Sequence, residues 1–98
     1  MNIKKTLDGT KLTAAISGRL DTSTTPEAEA VLKDGIGSVT ELILDFKEVD
    51  YISSSGLRLL LSLQKQMNVQ GSMKIRNIND TVAEIFEVTG FSDILTVE

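Results

Sequence analysis

Three consecutive hydroxyls and a glycine, Ser53-Ser54-Ser55-Gly56, stand immediately ahead of the most apolar stretch of the chain, which begins at Leu57. A serine hydroxyl can attack a substrate, receive a phosphoryl group or cap a helix. Attack requires a base to take the proton, and the sequence contains no His and no G-x-S-x-G elbow. A Ser–Lys pair stays open, although no lysine sits at a recognisable spacing from the serines. The absence of Cys removes thiolate catalysis, disulfides and cysteine zinc sites. Any catalysis would therefore fall to carboxylates, Lys or Tyr. Asp45, Glu48 and Asp50 lie close in sequence, but such carboxylates usually form a solvated loop, and no second cluster supplies further hard ligands. No metal and no cofactor is expected, and neither a Walker A nor a G-x-G-x-x-G pattern occurs.

The position of the serines suits the other two roles. The first backbone N–H groups of a helix have no partner within it, and that end carries about half a positive charge. An anion is welcome there. A phosphate on serine, adding about −1.5 to −2 charge, would be stabilised by such an end. Ser is also a frequent cap, and Gly before an apolar helix serves close packing. Spacing alone leaves capping and phosphorylation both open.

The surrounding elements must hold these serines in place. Ile3 to Leu7 and Lys11 to Ile16, separated by Asp8-Gly9-Thr10, predict a β-hairpin. Pro26 to Lys33 predicts a first helix, with Pro in its first turn, Glu27 and Glu29 near its positive end, and Ala28, Val31 and Leu32 facing inward. Thr24 or Thr25 would cap it, and Thr24 with Glu27 has the spacing of a capping box. Asp34-Gly35 would end it. Thr40 to Phe46 predicts a strand whose continuous Leu42-Ile43-Leu44 suggests cover on both faces, with Asp45 ending the run and Phe46 to Ile52 forming a connection.

Leu57 to Met67 is the strongest helix, stopped by Gly71, and Met67 and Met73 read as core residues. Met73 to Arg76 is a short strand. Asn79 should cap a third helix carrying Val82, Ile85, Phe86 and Thr89, which Gly90 ends; Phe91, Ile94 and Leu95 would pack as a tail or last strand. The fold class is therefore α/β: a mixed sheet of four or five strands with helices packed on it, in the order ββαβαβα plus a C-terminal strand or tail. Strands joined through helices should run parallel, by right-handed crossovers.

Ninety-eight residues fit one domain spanning 1–98, and 41% apolar with 24% charged residues is an ordinary globular composition. The net charge of −4 argues against a nucleic-acid partner. The first eight residues carry two lysines without an apolar segment after them, and no apolar run approaches the ~20 residues of a membrane span. A cytoplasmic location without membrane insertion is the expectation.

Asp50-Tyr51-Ile52-Ser53-Ser54-Ser55-Gly56-Leu57 resembles the signature of bacterial anti-sigma factor antagonists in the STAS domain family, whose pattern runs apolar-apolar-Asp-Ser-Ser/Thr-Gly-Leu. Three more segments carry the resemblance in the same order: Ser17-Gly18-Arg19-Leu20-Asp21 with Thr22 to Pro26, Leu42-Ile43-Leu44-Asp45-Phe46, and Phe86-Glu87-Val88-Thr89-Gly90-Phe91. The resemblance implies that Ser55, immediately before Gly56, is the phosphoacceptor, with Ser54 and Ser53 as minor alternatives. It implies an anti-sigma factor with serine kinase activity as partner, bound by the unphosphorylated form so that a sigma factor is freed, and a serine phosphatase that reverses the modification. The domain itself would be no enzyme.

The family usually has Asp where this chain has Ser53, whose hydroxyl would still cap. The implied partner surface comprises Asp21, Ser53, Ser54, Ser55, Gly56 and Arg58. For Asp21 a turn or cap role is the plain alternative, for Gly56 helix packing, and for Arg58 a solvated face; Arg58 could also attract a phosphate on Ser55. The competing reading is a STAS interaction module of a transporter, lipid-transport complex or signalling scaffold that works without phosphorylation. Oligomeric state is left open.

Overall fold

A computed structural model describes all of residues 1–98. Strands β1 (Asn2–Asp8), β2 (Lys11–Leu20), β3 (Glu41–Ile52) and β4 (Ser72–Arg76) form one sheet in the order β1-β2-β3-β4. Helices α1 (Thr25–Lys33), α2 (Ser54–Gln70) and α3 (Asp80–Val88) follow β2, β3 and β4 respectively. The hairpin is antiparallel, with Asp8 opposite Lys11, and the β2–β3 and β3–β4 pairs are parallel, as the connections require. The C-terminal tail adds only an isolated bridge, Ile75 to Val97, so the sheet has four strands.

Because the strand order never reverses, right-handed crossovers place successive helices on the same side of the sheet. One apolar cluster accordingly contains Ala28 and Leu32 of α1, Leu57, Leu59, Leu60, Leu63 and Met67 of α2, Val82 and Phe86 of α3, and the alternate strand residues Leu12, Ala14, Ile16, Leu42, Leu44, Met73 and Ile75. This corrects the expectation of helical cover on both faces of β3. Ile43, between Leu42 and Leu44, lies outside that cluster. It is fully shielded nonetheless, flanked in the ladders by Thr13 and Lys74. No helix is long and apolar enough to cross a membrane.

β3 does not end at Asp45, and Phe46 to Ile52 is strand rather than connection. What Asp45 marks is an irregularity: the β2–β3 register shifts between the Ala15–Asp45 and Ser17–Glu48 pairs. The Asp45 carboxylate accepts from the Lys47 backbone N–H at 3.0 Å and from Asn77 Nδ2 at 3.0 Å. A polar side chain serves the backbone where the ladder is interrupted, which is how a bulge is held. A second shift between Gly18 and Arg19 follows, and the strands then run on to the Leu20–Ile52 pair. β2 and β3 thus finish side by side, with Ser53 N donating to Leu20 O at 2.8 Å.

The ends of the helices follow local chemistry. Asn79 caps α3 as expected: its Oδ1 accepts from Val82 N at 2.8 Å, and its Nδ2 donates to Val49 O at 3.0 Å. Lys5 of β1 reaches the C-terminal end of α1, donating to Val31 O at 2.7 Å and Asp34 O at 2.9 Å, where a cation is favoured. Gln70 closes the far end of α2 by donating to Ile36 O at 2.7 Å and Val39 O at 2.6 Å. The Lys5 and Gln70 contacts thus tie down the C-terminal ends of α1 and α2, at the end of the sheet where β3 begins, and leave the helix N-termini at the carboxyl ends of β2 and β3.

Candidate functional site

The carboxyl ends of β2 and β3 release two segments at the same place: the Asp21–Thr24 loop into α1, and Ser53 into α2. The two segments differ in how they are held.

Asp21 organises its own loop. Its Oδ1 accepts from Ser23 N at 3.0 Å, Ser23 Oγ at 2.8 Å and Thr24 N at 3.1 Å. The Ser23 hydroxyl and the Thr24 N–H hold its carboxyl below the usual carboxylate range. The capping box does not form. Thr24 has helical rather than extended angles (φ −96°, ψ −23°), and its side chain makes no cap bond. Its hydroxyl instead donates to Arg19 O at 2.6 Å and accepts from Asp21 N at 3.0 Å. Thr25 donates to Asp21 O at 2.6 Å. The turn role weighed for Asp21 is the one its carboxylate performs.

A lowered carboxyl stabilises the fold above its unfolded pKa, and this contribution disappears as pH falls through the folded value. Asp21→Asn is therefore expected to lower the melting temperature at pH 7, with the gap to wild type starting to close below about pH 4, the unfolded value, and closing as pH falls through the lower folded value. Paired thermal melts across that range check it; a gap that persists at low pH would show that the charge is not what holds the loop.

α2 opens with Ser54, Ser55 and Gly56 inside its first turn. Ser53 is the cap residue by backbone angle (φ −96°, ψ 178°), but its side chain makes no cap bond. Its Oγ is buried with no hydrogen-bond partner, which corrects the expectation that the hydroxyl caps. Leu57 N bonds the Ser53 carbonyl at 2.9 Å, so the backbone starts the helix without the side chain.

Ser54 is exposed and Ser55 half-buried. Gly56 is buried, and a Cβ there would lie 2.6 Å from Ile52 Cγ1 and 3.0 Å from Leu20 O. Packing of α2 onto the ends of β2 and β3, rather than backbone approach by a partner, accounts for this glycine.

Ser55 Oγ lies 3.2 Å from Thr22 Oγ1 and accepts from Arg58 Nη2 at 3.4 Å. It opens into a cleft of about 370 Å³ lined by Thr22, Thr25, Pro26, Glu29, Ser55, Arg58 and Leu59. The fold thus brings Ser55 and Arg58 together as the helical spacing implies, and adds Thr22 from the neighbouring loop. Thr22 was not singled out from the sequence, since no local pattern links residues 33 apart. Nor did the sequence single out the stacking of Arg19 on Tyr51, 4.6 Å from guanidinium carbon to ring centroid, on the same strand ends. The three carboxylates Asp45, Glu48 and Asp50 form no cluster with metal-binding geometry.

The family model of the STAS domain matches residues 2–98. The chain belongs to the STAS domain family. This STAS domain is 34% identical over 93 residues to BtrV of Bordetella bronchiseptica, named as an anti-sigma factor antagonist, with 93% of this chain and 79% of that one covered. It is 29% identical over 102 residues to the anti-sigma-B factor antagonist of Staphylococcus aureus, covering 99% of this chain and 92% of the relative. The fold superposes on the unphosphorylated form of the anti-sigma factor antagonist SpoIIAA with a TM-score of 0.83 at 21% identity, over 99% of this chain and 88% of the other. It also superposes on part of the murine anion transporter Slc26a9 (TM-score 0.77, 17% identity, 92% of this chain but 16% of the transporter). At such identities the structural likeness concerns the fold, which serves more than one function.

Proposed function

We propose that this STAS domain is an anti-sigma factor antagonist working as a phosphorylation switch. In its unphosphorylated form it binds an anti-sigma factor that is also a serine kinase, and a sigma factor is freed. Phosphorylation of Ser55 breaks that complex, and a serine phosphatase restores it. The domain is the substrate of both enzymes and catalyses neither step.

The observation that carries this reading is the setting of Ser55. Its hydroxyl opens into a cleft at the junction of the Asp21–Thr24 loop and α2, with Arg58 beside it. The buried oxygen of Ser53 is out of a kinase's reach without local opening, so Ser54, which is exposed, is the nearer competitor. Sequence relatives named as antagonists support the partner class. The contact surface comprises Ser54, Ser55 and Arg58 directly. Asp21, Ser53 and Gly56 act from behind it by fixing the loop, the helix start and the packing.

The test is incubation with an anti-sigma factor kinase of the same genome and ATP, followed by mapping of the modified residue. Phosphate on Ser55, lost in Ser55→Ala, is the expected result. Full modification of Ser55→Ala would move the acceptor to Ser54 or elsewhere.

A further inference from the structure

On the reading that Ser55 accepts phosphate, we propose that Arg58, assisted by Thr22, clamps that phosphate within the same chain. The phosphorylated form is then an internally paired state rather than a bare dianion. Arg58 lies three residues after Ser55 on the same helix face, and its guanidinium already points at the Ser55 oxygen, Nη2 to Oγ at 3.4 Å. A phosphate built on that oxygen extends into the open cleft of about 370 Å³ that Arg58 and Thr22 both line. The planar guanidinium fork matches two phosphate oxygens at once. The Thr22 hydroxyl, 3.2 Å from Ser55 Oγ on the opposite wall, supplies a further donor.

The charges around the cleft leave Arg58 free for this task. It takes part in none of the ion pairs of the protein, which join Arg19 to Asp21, Lys33 to Glu29, and Lys74 and Arg76 to Glu98. Glu29 is the carboxylate on the cleft wall and would repel a phosphate, but Lys33 holds it at 3.0 Å. Asp21 spends its acceptor Oδ1 on Ser23 and Thr24 in its own loop. Lys65 lies further along α2, in the shallow depression that Arg58 also borders. Phosphorylation therefore changes the surface in two ways: it adds an anion, and it withdraws the guanidinium that the unphosphorylated face offers a partner. A phosphate held in this way also yields less readily to a phosphatase.

The clamp is tested on the full chain with phosphoserine placed at position 55 during translation, so that no kinase is needed. Phosphorus NMR then follows the second ionisation of the phosphate with pH at low salt. In the wild-type background this ionisation is expected to fall about half a unit or more below that in Arg58→Gln, with Arg58→Lys between them, and added salt should shrink the gap. Coincident titrations of the wild-type and Arg58→Gln proteins, both folded by circular dichroism, would overturn the clamp. Failure of the phosphoacceptor reading shows separately, as a kinase that modifies another residue while the titrations still differ.

Discussion

Ser55→Asp is expected to bind the anti-sigma factor about two orders of magnitude more weakly than wild type while melting at nearly the same temperature. The two halves of this result have different causes. In the free protein Ser55 occupies the first turn of α2, where a carboxylate complements the positive helix end, and its side chain opens into a cleft. Glu29 on the cleft wall is paired with Lys33, and Arg58 stands beside the position, so the fold accommodates a negative charge there. On the proposed function, the complex would take the same charge out of water against a partner surface that otherwise meets a neutral hydroxyl beside a guanidinium. A cost of about 3 kcal/mol for that desolvation corresponds to about a hundredfold in affinity. Titration calorimetry on the complex and thermal melting on the free variant check the two halves. Loss of the helical signal in Ser55→Asp would make Ser55 a structural residue.

The second large effect lies far from the site. Gly71→Ala is expected to destabilise the fold by about 3 kcal/mol, whereas Gly37→Ala is expected to change it by less than about 0.5 kcal/mol. A Cβ on Gly71 would overlap the Thr40 carbonyl, which accepts the Ser72 N–H at 3.0 Å and so ties β4 to the start of β3. The clash is with backbone on both sides, so no side chain can move away to relieve it. Gly37, by contrast, has nothing within 4 Å of its added Cβ and no left-handed backbone. Urea denaturation of the two variants distinguishes a steric requirement from a general glycine effect. Similar losses for both would mean that backbone entropy, not the Thr40 contact, dominates.

The features read correctly from the sequence were those governed by neighbours along the chain. Asp8-Gly9-Thr10 turns the hairpin, Asn79 caps α3 through Val82, and Gly35, Gly71 and Gly90 stand just past helix ends. The leucines from Leu57 to Leu63 announced a buried helix, and the serines before them its start. The misreadings arose where distant segments decide. The second half of β3 is rich in charge, yet it remains strand because Ser17–Leu20 of β2 lies alongside it across two register shifts. Leu42-Ile43-Leu44 looked like a strand between helices, but sequential right-handed crossovers put all three helices on one face.

The site divides along the same line. Ser55 and Arg58 are one helical turn apart, so their meeting was implicit in the spacing. The contact with Thr22 depends on β2 and β3 ending together at Leu20 and Ile52, which no local pattern encodes. The inward burial of the Ser53 oxygen was likewise invisible, because the residue type and backbone angle both suit a cap. Gly56 could be read either as an approach point or as packing, and only the positions of Ile52 and Leu20 decide for packing.

The central claim is that phosphate on Ser55 alone switches the partner off. Its most direct measurement is calorimetric titration of the anti-sigma factor with two forms of the full chain, one unmodified and one carrying phosphoserine at position 55. A dianion desolvated in the interface at a cost of about 3–4 kcal/mol should weaken binding several-hundred-fold. Equal affinities for the two forms would contradict the account.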